Sequence, residues 1–110
     1  MFNVIVDETL LREIVRRLVE AIDPERIILF GSRARGDARP DSDIDLLVIK
    51  ESNEARHRRS IAGYRALGRI PAPADILWRT PGEVEEWAGV SDYVTTRAIR
   101  EGRLLYEKQA

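Results

Sequence analysis

Two short apolar stretches, Ile27-Ile28-Leu29-Phe30 and Leu46-Leu47-Val48-Ile49, flank a polar segment that opens with Gly31-Ser32 and closes with Asp43-Ile44-Asp45. Arg26 to Phe30 reads as a short buried strand that stops abruptly at the glycine. Asp43 to Ile49 reads as a second strand, and its unbroken apolar run suits a central strand covered on both faces. Residues 33–42 carry Gly36 and Pro40 as breakers and read as a loop with one helical turn.

The rest of the sequence supplies the covering layers. Leu10, Leu11, Ile14, Val15, Leu18, Val19 and Ile22 recur at helical spacing, which predicts a helix over residues 8–22. Asp7 is placed to cap it, Val6 to staple onto Leu11, and Pro24 to stop it. Residues 53–67 read as a second helix with Ile61, Tyr64 and Leu67 on one face and Gly68 as the stop. Ala74 to Trp78 reads as a third strand. Thr80-Pro81-Gly82-Glu83 is a capping box with proline at the first helical position, and Trp87 is expected to pack inward. A last helix opens at Ser91 or Asp92 and ends at Gly102, followed by an edge strand over Leu104 to Tyr106. Helices interspersed with short strands predict an α/β (α+β) fold, a small mixed sheet flanked by helices. At 110 residues, without an internal repeat, one domain over residues 1–110 is expected.

Composition narrows the chemistry. With no cysteine, disulfides, thiolate zinc sites and a cysteine nucleophile are excluded. His57 is the only histidine, which removes histidine-rich metal sites and leaves it as a surface residue. The formal net charge of −1 argues against nucleic acid as the partner. No run approaches membrane-spanning length, so no membrane partner and a cytoplasmic location are expected. Lys50 and Lys108 are the only lysines, and positive charge is otherwise arginine. Arg56, His57, Arg58 and Arg59 form a basic cluster best read as a solvated helix face.

The chemistry resides in the acidic residues. On a strand, Asp43 and Asp45 project from one face, where two carboxylates repel unless a cation lies between them. A hard divalent ion such as Mg²⁺ answers that need and adds phosphate oxygens to its ligands. Gly31 lets backbone approach a phosphate, and the Ser32 hydroxyl and following N–H groups can donate to it. Arg33, Arg35 and Arg39 follow, and arginine suits phosphate. Asp75 opens the third strand. Should that strand lie beside the second, three carboxylates could hold two ions about 3.5–4 Å apart, and Asp75 could take a proton from an attacking hydroxyl.

The stretch FGSRARGDARPDSDIDLLVI resembles the polymerase-β-like nucleotidyltransferase superfamily, whose pattern is Gly-Ser, a spacer, then Asp-x-Asp at the head of a strand. The spacer over residues 33–42, the runs GSRARG and SDIDL, the segment ADILW and the ending AIREGRLLYE are similar to the minimal nucleotidyltransferases (MNT). The resemblance implies a palm-like fold and transfer of a nucleoside monophosphate from a triphosphate to a hydroxyl, releasing pyrophosphate. By matching position, Gly31 and Ser32 would contact the triphosphate, with Arg33 and Arg35 beside them. Asp43 and Asp45 would bind Mg²⁺, and Asp75 would complete the catalytic metal site. Minimal members commonly pair with a small helical HEPN toxin, which they neutralise as antitoxin by adding AMP from ATP to a tyrosine. A homo- or hetero-oligomer is compatible with that pairing. The reading from a different class is a non-catalytic subunit that neutralises a toxin by masking it. Three retained carboxylates favour the enzyme, because a pure binder has no need to hold like charges together.

Overall fold

The computed structural model describes residues 6–87 and 93–109. The elements run α1 (Glu8–Ile22), β1 (Arg26–Phe30), α2 (Ser32–Arg35), β2 (Ile44–Ile49), α3 (Arg56–Leu67), β3 (Ala74–Arg79), α4 (Pro81–Trp87), α5 (Tyr93–Glu101) and β4 (Arg103–Glu107). The strands form one mixed sheet in the order β3-β2-β1-β4. β1 is antiparallel to both β2 and β4, whereas β2 and β3 are parallel. This is the mixed sheet flanked by helices that the pattern of elements predicts. No helix among the described residues is long and apolar enough to cross a membrane.

β2 is the inner strand whose two faces divide the core. Ile44, Leu46 and Val48 meet Leu11, Ile14 and Leu18 of α1 and Leu67 of α3, together with Ile27, Leu29, Ile76 and Trp78. Leu47 and Ile49 lie on the opposite face with Ile28 and Ala98 of α5, where Phe30, Leu77, Val84 and Ile99 join them. The unbroken apolar run of β2 thus reflects burial on both sides.

Local chemistry sets the helix ends. The Asp7 carboxylate accepts from the Leu10 N–H at 3.0 Å, and Val6 packs against the same core cluster as Leu11. Asp23 ends α1 with φ 46°, a left-handed conformation that aspartate tolerates, before Pro24. α3 begins at Arg56, later than the sequence pattern suggests, because the Ser52 hydroxyl takes the Glu54 N–H into a local turn. The start of α5 expected at Ser91 or Asp92 lies outside the described residues.

Two packing expectations are corrected. Only Leu67 of the expected α3 stripe is buried; Ile61 and Tyr64 are 45% and 43% exposed. Gly63 and Leu67 form the contact face instead, and the Tyr64 hydroxyl accepts the Ile76 N–H at 3.0 Å, covering part of the free edge of β3. Trp87 does not enter the core. Its ring lies under the Arg56 guanidinium at 4.3 Å, with that of Arg79 at 5.6 Å, a cation–π stack at the surface.

The Thr80–Glu83 box closes as expected. The Thr80 N–H donates to Glu83 Oε1 at 2.8 Å, and the Glu83 N–H donates to Thr80 Oγ1 at 3.2 Å. Arg59 adds an ion pair to the same carboxylate at 2.5 Å, so part of the basic cluster ties α3 to α4. Burial works to raise the Glu83 carboxyl, but the Thr80 N–H and the Arg59 guanidinium overcome it and hold it down at about 2.

Gly102, between α5 and β4, is pressed against β1. A Cβ there would stand 2.2 Å from the Ala98 carbonyl oxygen, 2.5 Å from Ile28 Cγ2 and 2.8 Å from the Leu29 carbonyl oxygen. Gly102→Ala is therefore expected to destabilise the protein by about 1–3 kcal/mol, read from the midpoint of urea unfolding. Glu83 is held below its ordinary 4.5, so its contribution is complete above pH 4.5 and is lost as the pH falls towards 2. Acid titration of stability should accordingly be shallower for Glu83→Gln than for the parent over that window.

Candidate active site

One end of the sheet collects the polar residues that the core leaves out. β1 finishes there at Phe30, and β2 and β3 start there. Phe30 pairs with Asp45 across the antiparallel ladder. Asp45 pairs with Asp75 across the parallel one. Neighbouring strands lie about 4.8 Å apart, and paired residues share a face, so the two carboxylates leave the sheet side by side. That face is the one covered by α5, since Leu47 and Leu77 follow two residues on from each aspartate and pack there. β2 begins one residue later than the sequence suggests, leaving Asp43 just ahead of it and exposed.

The charges of this group act on one another. Burial raises the Asp45 carboxyl above its ordinary value, and the negative charges of Asp75 and Asp43 raise it further, against the pull of Arg35. Asp45 is half-buried, whereas Asp75 stands exposed on the edge strand. A carboxylate raised by like charges suits a hard cation with oxygen ligands, and the donor set fits Mg²⁺. Among the described residues, no three Asp, Glu, His or Cys side chains close into a cage that could hold an ion unaided. Mg²⁺ ordinarily takes one or two carboxylates and completes its shell with water and substrate phosphate, so such a cage is not a requirement of this chemistry.

Gly31 forms the other wall. Its φ of 73° and ψ of −157° lie in a region open essentially to glycine alone. An added Cβ would also stand 2.3 Å from Asp45 Oδ2. The glycine thus makes the sharp turn out of β1 and leaves room for the carboxylate. Ser32 opens the single turn of α2, half-buried beside it.

The arginines divide. Arg33 donates through Nη2 to the Ser42 carbonyl at 2.7 Å and more loosely to those of Arg39 and Pro40, which pins the loop ahead of Asp43. Arg35 is exposed, pairs with Asp37 at 3.5 Å and acts electrostatically on Asp45. Arg39 is exposed, and its N–H donates to Ser42 Oγ at 2.8 Å.

A cavity of about 210 Å³ opens beside the turn, lined by Phe30, Gly31 and Arg35 and by Val94, Arg97 and Glu101 of α5. Sequence reasoning gave α5 no part in the site, and nothing in the spacing of these residues marks them. They arrive because Gly102 holds the end of α5 against β1. Asp45→Asn removes the charge that burial and its neighbours disfavour. In metal-free buffer at neutral pH it is expected to melt a few degrees above the parent, and the gap should narrow as the pH falls towards 3.8, read by thermal denaturation.

Comparison with known proteins bears on the family and the fold. Residues 9–106 match the family model described as nucleotidyltransferase domain. No curated protein matches the chain. Among solved structures it is similar to a Sulfolobus solfataricus protein provisionally assigned as a nucleotidyltransferase, at 25% identity and a TM-score of 0.64, over 91% of this chain and 79% of that one. It is also similar to a toxin–antitoxin structure with AMP-PNP, at 23% identity and a TM-score of 0.57, over 90% of this chain and 74% of that one. The second likeness bears on the fold alone.

Proposed function

We propose, for a chain that belongs to the nucleotidyltransferase domain family, that it transfers AMP from ATP to a hydroxyl of a partner protein with Mg²⁺ held by Asp43, Asp45 and Asp75. The observation that carries this reading is the pairing of Asp45 with Asp75 at the strand ends where Gly31 closes on the Asp45 carboxylate. Bound Mg²⁺ would supply neutralisation of the charge developing on the phosphates.

The chain's own residues do the rest. Gly31 lets the backbone come close to the triphosphate, and the Ser32 hydroxyl donates to it. Arg35, which lines the cavity beside Gly31, adds positive charge for the phosphates. Arg33 keeps the loop before Asp43 in place and thereby orients the first carboxylate. Asp75, exposed at the sheet edge, takes the proton of the acceptor hydroxyl as the hydroxyl oxygen bonds to the α-phosphorus and the bond from that phosphorus to the bridging oxygen breaks, releasing pyrophosphate. Positioning and charge neutralisation account for the rate.

The partner we propose is a small helical HEPN toxin, which this chain neutralises as antitoxin in the cytoplasm, acting as one domain over residues 1–110. The runs GSRARG and SDIDL support the minimal-nucleotidyltransferase subtype, and the acidic balance of the chain speaks against a nucleic-acid acceptor.

Incubation with Mg-ATP and a small helical HEPN-type protein offered as acceptor should add the mass of AMP to that protein. Asp75→Asn should lower the rate by on the order of 10²–10⁴-fold, and Asp43→Asn should abolish it. Mg²⁺ and ATP together should raise the melting temperature of the parent and not of Asp45→Asn. No mass gain, with the toxin still neutralised by Asp43→Asn, would replace transfer by masking.

A further inference from the structure

The outer face of α3 is basic and partly apolar in a way that the core does not explain. The helix carries four arginines and no acid in a chain whose net charge is −1. Arg56 and Arg59 are tied to Glu83 on the side towards α4. Arg58, Ile61 and Arg65 recur at i, i+3 and i+7 on the side turned away from Gly63 and Leu67, so they form one outward stripe. Arg58 meets only Glu54, at 3.9 Å and with both side chains more than 60% exposed, and Arg65 has no ion-pair partner among the described residues. Ile61 stands exposed between them.

A hollow of about 240 Å³ lies beside this stripe. Ser52, Glu54, Arg58 and Arg59 form part of its rim, Ile61 and Arg65 another, and Trp78 reaches it from β3. A volume of this order admits one large side chain, and with Arg59 neutralised by Glu83 the exposed guanidiniums of Arg58 and Arg65 still outnumber the single carboxylate of Glu54 at the rim. We propose that this face docks an acidic protein segment, one apolar or aromatic side chain seated in the hollow and flanking carboxylates on Arg58 and Arg65. The apolar centre ringed by charge is the anatomy of a protein-binding hot spot and not of a backbone-tracking nucleic-acid groove.

This rests on the proposed function in one respect: the segment belongs to the acceptor protein. Trp78 lies three residues along β3 from Asp75, about 10 Å at the rise of a strand. The edge of β3 is the outer edge of the sheet there. Trp78 and Asp75 face opposite sides of β3, so a protein seated on α3 reaches the aspartate by passing round the open outer edge of that strand.

The test uses the full chain and fluorescein-labelled poly(Glu,Tyr), a copolymer that offers aromatic side chains among carboxylates, without nucleotide. Fluorescence anisotropy should show binding that weakens about tenfold for Ile61→Ala and more for Arg58→Glu with Arg65→Glu. Arg12→Glu, an exposed arginine on α1, should bind as the parent does. Asp45→Asn should also bind as the parent does, so a failure of nucleotidyl transfer leaves this result standing and a failure here leaves transfer standing. Binding unchanged in the α3 variants, absence of binding, or tighter binding of an oligouridine of equal charge would each overturn the proposal, the last in favour of RNA.

Discussion

Burial of β2 on both faces is the constraint from which the architecture follows. A strand that hides Ile44, Leu46 and Val48 on one side and Leu47 and Ile49 on the other cannot lie at an edge, and it requires helices above and below. α1 and α3 supply one layer and α5 the other. The inner position also gives the strand two neighbours, here one antiparallel and one parallel. Only with that mixture does the end of one strand meet the beginnings of two others. The site occupies this junction because Asp45 and Asp75 are the residues that β2 and β3 carry there before their apolar stretches begin.

The cost of the arrangement is concentrated in a few atoms. Folding places Asp45 against Asp75 and Asp43 and takes it partly out of water, which disfavours its charge. It also requires Gly31 to adopt a backbone conformation closed to other residues. Neither feature improves packing, and a fold selected for stability alone would lose both. Their coexistence with a largely apolar core a few residues away is what singles out this strand end as the candidate site.

Much of this was legible in the chain. The helical period of α1, the apolar run of β2, the Gly31-Ser32 turn and the Thr80–Glu83 box are local signals, and each appears as read. The resemblance of the Gly-Ser and Asp-x-Asp runs placed Asp43 and Asp45, but spacing alone did not say that Asp75 pairs with Asp45, because strand register is a tertiary property. Ile61, Tyr64 and Trp87 misled for a physical reason. Hydrophobic spacing on a short helix does not reveal which side meets the sheet, and small Gly63 takes the contact there. The place of Arg33 beside Gly31 points to phosphate, whereas its bonds to the loop carbonyls depend on how the tertiary fold turns residues 39–42 back onto it. The part played by Val94, Arg97 and Glu101 was hidden for the same reason, since some sixty residues separate them from the turn they face.

The contact that admits nothing larger than hydrogen at Gly102 also gives α5 a fulcrum. Its C-terminal end is clamped to β1 backbone, so a displacement of the helix that keeps this clamp must be a rotation about it. Glu101 sits next to the fulcrum, Arg97 midway, and Val94 near the far end of a lever about 12 Å long. The mouth of the cavity beside Gly31 would then widen at Val94 while its inner end held its shape. Any adjustment of the space beside Gly31 would then come from the Val94 end of one short helix, with the aspartates left undisturbed.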